Sequence, residues 1–194
     1  MQRLVGILLA AGRGLRFDPE QRRDKLLEPL DTGLTVIGQS IRQMRPWVDE
    51  LVVVTRPGRA GALQAACHGS DAHWIEAAHA DAGMGASLKS GLAALALPER
   101  GWLIGLGDMP WIQPSTYQLV RQAIEQGHAW VRPFSEGRPG HPVGCATRSA
   151  DIVMALPDAA GLGAVLQQPG LDCLRIDVRD AGCARDVDTP ADLE

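Results

Sequence analysis

Residues 7–17 read ILLAAGRGLRF. The chain is continuously apolar from Leu4 to Leu9, then breaks into Ala10-Ala11-Gly12-Arg13-Gly14, and two arginines, Arg13 and Arg16, fall within four positions. An unbroken apolar run that ends at glycine is the pattern of a strand buried on both faces, not of a half-exposed strand, which alternates. Outward from this strand the same rhythm repeats. Apolar, β-branched segments at Leu51–Thr55, Ala72–Glu76 and Trp102–Leu106 alternate with helix-like segments at Thr35–Met44, Ala60–Ala66, Ser87–Leu97 and Pro114–Gln126. Strand–helix alternation at this spacing predicts an α/β fold with a mostly parallel sheet. After Gly127 the rhythm changes. Short strands are expected at Ala129–Arg132 and Val143–Thr147 around the loop PFSEGRPGHP, helices at Ser149–Leu156 and Gly163–Gln168, and a last strand at Leu174–Val178. In the closing DVDTPADL, Thr189 is expected to cap a helix with Pro190 in its first turn and Asp192 near its positive end.

The 194 residues suit one domain, 1–194, with a core drawn from aliphatic residues, because Phe, Trp and Tyr make up only 4%. A formal net charge of −4 argues against a general nucleic-acid binder, which shows a basic excess, but leaves room for a local cationic pocket. The first apolar run falls well short of the ~18 residues a membrane span needs. Cys67, Cys145, Cys173 and Cys183 show no C-x-x-C spacing and read as reduced thiols of a cytoplasmic protein. His68, His73, His79 and His128 lack ligand-like spacing.

In an open parallel sheet, ligands sit beyond the carboxyl ends of the strands. The loops after Leu9 and after Leu106 therefore point to one place. In the first, small residues let backbone N–H groups approach a phosphate, and Arg13, Arg16 and Lys25 supply charge-assisted donors. The loop is not a Walker A motif, since Leu15-Arg16 follows Gly14 where Lys-Ser/Thr is required. Nor is it a dinucleotide fingerprint, since Phe17 stands where the third glycine belongs. Taken alone it reads equally as another phosphate cradle or as a tight turn. In the second loop, Gly107-Asp108-Met109-Pro110, an Asp just past a buried strand suits Mg²⁺ held against a polyphosphate, or a turn cap. Asp186 and Asp188 form a third acidic element.

Together, LLAAGRGLRF, DKLLEPL (24–30), GMGASLKSGL (83–92), GDMPWI (107–112), GRPGHPVG (137–144) and DVDTPADL (186–193) resemble the nucleotidyltransferases that mature molybdenum cofactor. The similarity runs over nearly the whole chain, in order, and is nearest the molybdenum cofactor cytidylyltransferase branch. The guanylyltransferase branch differs in usually having Ala-Gly-Gly in the first motif, where this chain has Ala10-Ala11-Gly12.

The resemblance implies a three-layer, Rossmann-like nucleotide-diphospho-sugar transferase fold with a mostly parallel mixed sheet. It also implies Mg²⁺-dependent transfer of CMP from CTP to a molybdopterin-type cofactor, with release of pyrophosphate. GTP or a sugar phosphate on the same scaffold, and a non-catalytic carrier that hands the cofactor to a molybdenum hydroxylase, are the alternatives. By the same resemblance Leu9, Ala10, Ala11, Gly12, Arg13, Gly14, Lys25, Gly83 and Ser87 would bind the nucleotide. Arg16, Lys25 and Asp108 would be catalytic, Asp108 and Asp188 would hold the metal, and Gly140, His141 and Pro142 would border the acceptor. Two departures bear on the site. The insertion FDPEQRRD separates Arg16 from Lys25 with Phe17 in place of the usual Met, and Gly14 replaces a common Ser.

Overall fold

A computed structural model describes residues 3–67 and 69–193; the expectation for His68 falls outside them. Eight strands form one sheet: β1 (Leu4–Ala10), β2 (Glu50–Thr55), β3 (His73–Glu76), β4 (Gly101–Leu106), β5 (Trp130–Ser135), β6 (Arg138–Pro139), β7 (Val143–Ala146) and β8 (Cys173–Asp177). Their order is β3-β2-β1-β4-β7-β5-β6, with β8 on the other side of β5. The β1, β2, β3 and β4 pairings are parallel, as is β5 with β8, whereas β7 runs antiparallel to both β4 and β5. The mostly parallel mixed sheet expected from the sequence is thus present.

Both faces are covered, which is why β1 is apolar at nearly every position. Leu4 and Leu8 join the core beneath helices α1 (Val36–Met44), α2 (Ala60–Ala65) and α4 (Pro114–Glu125). Val5, Ile7 and Leu9 face the opposite core, beneath α3 (Met84–Ala93), α5 (Ala150–Met154) and α6 (Leu162–Leu166). Trp102 and Trp130 are fully buried in the second core. Burying a side chain of this size contributes several kcal/mol, so both are packing residues first.

Three expectations need correction. The third helix begins at Met84, not Ser87, and ends at Ala93. Its start is set by Gly83, whose φ of +134° and whose approach to the 158–159 backbone (2.6 Å from a notional Cβ) exclude a side chain. The PFSEGRPGHP segment is a hairpin, because β6 folds back onto the end of β5 through Phe134↔Pro139 and Ser135↔Arg138. The closing helix is a single 3₁₀ turn, Pro190–Leu193. Its acceptor is Asp192, which takes hydrogen bonds from the Asp188 and Thr189 amides and the Thr189 hydroxyl, so Thr189 donates instead of capping.

Two buried groups tie the last quarter of the chain to the sheet. Asp180 caps α4 from 67 residues away, accepting from the Gln113 amide (2.9 Å) and the Thr116 hydroxyl (2.6 Å). His141 is tied to two remote carbonyls: its amide donates to Cys183 O (2.8 Å), and its ring Nδ1 lies 3.3 Å from Ile104 O. The ring is packed inside although the residue as a whole keeps intermediate exposure. Burial first, and then the neighbouring Arg132 cation, push its pKa down to about 4.

Removing the trans cap with Asp180→Ala should cost about 2 kcal/mol in urea unfolding, since it strands an amide and a hydroxyl at the head of α4. Asp180→Asn, which keeps an acceptor, should lose less. Equal stability of Asp180→Ala and the parent would remove the capping role. For His141 the folded pKa lies below the unfolded ~6.5, so the stability it contributes is present above pH 6.5 and is lost as pH falls toward 4, by at most about 1.4 kcal/mol per unit. Unfolding curves at pH 7, 6 and 5 should therefore converge between parent and His141→Gln as acidity rises.

Candidate active site

The glycine corner leaves β1 at the carboxyl edge of the sheet. Gly14 adopts φ +66°, a left-handed turn open to glycine without strain, and its carbonyl accepts from the Phe17 and Asp18 amides. Phe17 is buried and anchors the start of the insertion. The insertion is a self-contained loop, because the Asp18 carboxylate accepts from the amides of Glu20, Arg22 and Arg23. The Arg23 amide above all holds the Asp18 pKa below its ordinary value. Arg22 pairs with Glu20, and Arg23 pairs with Glu28 while covering the Phe17 ring at 5.1 Å. Neither turns toward the acidic cluster. Asp24 then accepts from the Leu26 amide and starts a 3₁₀ turn, Lys25–Leu27, whose first side chain is delivered to the sheet edge.

There Lys25 Nζ lies 2.5 Å from Asp108 Oδ2, 2.8 Å from Val187 O and 3.6 Å from Asp188 Oδ1. Asp108 itself is fixed on several sides. Gly107 donates to Leu9 O and its carbonyl receives the Ser40 hydroxyl (2.9 Å) from α1, while the Val187 amide donates to Asp108 O (2.9 Å). Arg16 reaches the other side of Asp188 and forms an ion pair with it. Segments that begin at residues 11, 107 and 186 thus meet at one point. Burial first, and then the charges of Asp188 and Asp108, raise the pKa of the adjacent Asp186 carboxyl.

Beside this cluster lies a cleft of about 340 Å³, lined by Leu9, Ala11, Gly12, Arg13, Gly83 and Ser87, with Asp108 at its end. Gly12 has open space where a Cβ would point. Ala10, Gly14 and Lys25 line a small adjoining hollow of about 30 Å³ with Gly12 and Arg13. The predicted loop residues are therefore divided between two neighbouring concavities that share Gly12 and Arg13. Gly140, His141 and Pro142 are not brought to the cleft; they stand one strand farther along the edge, joined to β4 through Ile104 O. Trp111 does not face the cleft either, and Arg185 covers its ring at 4.0 Å. Met84 lines the cleft and is 47% exposed, with its sulfur against Gly161.

Sequence reasoning missed Asp81, Arg56 and Arg59. Asp81 stands on the cleft wall and pairs with Arg13 (2.9 Å) and Arg56 (3.4 Å). The bond from Arg13 chiefly lowers its pKa. Arg56 and Arg59 line the smaller hollow with Arg13, Arg23 and Lys25, and Arg59 pairs with Asp24. Their signal was legible: TRPGR follows β2 at the same carboxyl edge that made the other two loops candidates.

Among the described residues no three His, Cys, Asp or Glu side chains form a ready-made metal cage. The two carboxylates nevertheless fit a Mg²⁺-type ion, which is held by one or two carboxylates with substrate phosphates and waters, not by an all-protein shell. Asp108 Oδ1 is buried with no hydrogen-bond partner among the described residues. An acceptor left in that state costs about 1–3 kcal/mol, and a cation beside Asp108 would relieve it.

A model of the MobA-like NTP transferase domain matches residues 6–173. No curated protein matches the chain by sequence. Among solved structures, Rv0371c from Mycobacterium tuberculosis H37Rv is 24% identical with a TM-score of 0.81, over 98% of this chain and 95% of that one. The same protein in complex with manganese is 25% identical, with a TM-score of 0.77 over 98% and 95%. Molybdopterin-guanine dinucleotide biosynthesis protein A from Archaeoglobus fulgidus is 18% identical, with a TM-score of 0.71 over 98% and 94%. With the family model spanning most of its length, the chain belongs to the MobA-like NTP transferase domain family and is a nucleotidyltransferase of that type.

Proposed function

We propose that the protein transfers CMP from CTP to a molybdopterin-type cofactor, with Asp108 and Asp188 as the residues that would hold Mg²⁺. The observation that carries the reading is the convergence of Lys25, Asp108 and Asp188 at the end of a nucleotide-sized cleft floored by the glycine corner. The acceptor's phosphate is already anionic, so no general base is needed. What obstructs reaction is the approach of one anion to another. A bound divalent ion would neutralise and orient the triphosphate. The chain's own part is to hold Ala11–Gly14 as backbone donors and to bring Lys25 and Arg16 to the departing pyrophosphate, a fixed array that needs no rearrangement as charge develops. Arg13 would leave Asp81 for a phosphate oxygen. Ser87 and Gly83 would flank the base and ribose. Gly140, His141 and Pro142 would border the acceptor, with His141 neutral near pH 7 and therefore not a phosphate-binding cation.

CTP is supported by Ala10-Ala11-Gly12 in the first motif, and a divalent metal by the manganese complex of Rv0371c. Retention of both carboxylates argues against a carrier, which has no use for a metal site.

Pyrophosphate release should be measured with each of the four nucleoside triphosphates, with and without molybdopterin and Mg²⁺. Release with CTP, dependent on both molybdopterin and metal, is expected. Release with GTP alone would reassign the donor, and none with any triphosphate would leave only binding. Asp108→Asn, isosteric and foldable, should lower turnover by about 100-fold or more; normal turnover by that variant excludes Asp108 as a metal ligand. Lys25→Ala should raise the triphosphate KM and slow transfer, about tenfold each. Unchanged kinetics would mean that Lys25 serves only the ion pair with Asp108.

A further inference from the structure

Among the described residues, the part-buried Arg3, Arg45, Arg56, Arg100 and Arg121 each meet a carboxylate, and the unpaired Arg42, Arg138, Arg148, Arg179 and Arg185 are exposed. Arg132 alone is both part-buried and without an acid. Among the described residues its only hydrogen bond runs from Nε to Gly140 O, at a long 3.3 Å. Burial lowers its pKa, which records the cost of keeping a guanidinium there. Such a cost persists where a charge has work to do.

Arg132 borders a hollow of about 380 Å³ whose other walls are Phe134, Pro139, Leu166, Gln167, Leu171, Cys173 and Arg175. Arg175 pairs with Asp177 and lies over the Phe134 ring at 4.2 Å, which leaves Arg132 as the hollow's uncompensated cation. Strand alternation puts Arg132 and Phe134 on the same face as Trp130, the face that carries Leu9 and the nucleotide-sized cleft. Pairing of Gly144 with both Val131 and Leu103 sets β5 level with β4 at two strand spacings, about 10 Å. Leu106, on the cleft wall, is three residues beyond Leu103. The two hollows are therefore on the order of 10–15 Å apart on one face, with Gly140 and His141 between them.

We propose that this second hollow receives the far end of the acceptor, and that this end is a flat ring bearing an electron-rich oxygen, held by Arg132 between largely apolar walls. The site selects the acceptor; Arg132 is a specificity residue and takes no part in bond making. The assignment of the occupant as acceptor rests on the nucleotidyl-transfer reading, whereas the chemistry of the hollow does not.

Benzoate, a flat ring with one oxyanion, is the probe, with acetate and benzyl alcohol as its two halves. Each is titrated into the ¹⁵N-labelled full chain, with and without CTP and Mg²⁺. Saturable benzoate shifts are expected at the amides of residues 132, 134 and 173–175, at least tenfold weaker for either half-probe. Arg132→Met should weaken benzoate at least tenfold, and Arg132→Lys by less. Absence of saturable shifts there, acetate binding as tightly as benzoate, or unchanged affinity in natively folded Arg132→Met each overturns the proposal. If Arg132→Met does not fold, Arg132→Lys decides: a threefold or greater loss supports the site, and unchanged affinity overturns it. CTP shifts at residues 11–14 and 83–87 without any benzoate response reject the second hollow alone. A benzoate response without nucleotide uptake supports the hollow and rejects the nucleotidyl-transfer reading.

Discussion

The ammonium of Lys25 set against the carboxylate of Asp108, both largely withdrawn from water, is the contact on which the site depends. Two unit charges about 4 Å apart attract by about 4 kcal/mol at an effective dielectric near 20. Removing each from water costs a comparable amount. The pair therefore adds little net stability, and its effect is to single out one arrangement of three distant segments. The insertion folds on itself around Asp18 so that Lys25 emerges at the edge of the sheet. The Val187 amide and carbonyl close on the same two residues from the far end of the chain.

Sheet topology explains why these segments can meet. β1 and β4 are parallel neighbours, so the loops that leave them depart from one edge. β7 is antiparallel to β4, so the turn entering it arrives at that same edge. One reversal of direction thereby places Gly140, His141 and Pro142 next to the acidic cluster and lets β5 carry Arg132 one strand farther out. The outcome is a row of concavities along a single edge, lined with cations in the small hollow and with the Asp108 carboxylate in the cleft.

Much of this was legible in the sequence because burial on both faces of a parallel sheet leaves an unmistakable apolar run, as in β1 and in LVVVT of β2. The glycine corner, Lys25 and Asp108 were legible because their motifs lie just past such runs. Other features were not, since they depend on pairings between remote residues. Nothing local to RDAGC announces that Asp180 caps α4, and nothing in WVRPF shows that Arg132 meets no acid. The true start of α3 was not legible because it depends on the close approach of the remote 157–160 loop, which requires Gly83 and Gly85 to lack side chains. Arg56 and Arg59 follow β2 at the same edge, but the ion pairs that hold them, with Asp81 and Asp24, join residues remote in the chain.

The contribution of Val187 and Asp188 has a consequence for biosynthesis. The sheet needs nothing beyond β8 to complete its strand order, yet the cation cluster lacks one carboxylate and one carbonyl until residues 187 and 188 have joined it. A growing polypeptide emerging from the ribosome in vectorial fashion can thus acquire most of its tertiary framework while still unable to engage a triphosphate. Premature termination a few codons upstream would remove that carboxylate and carbonyl together with the buried Val187 side chain, leaving the strand order complete but the site unfinished.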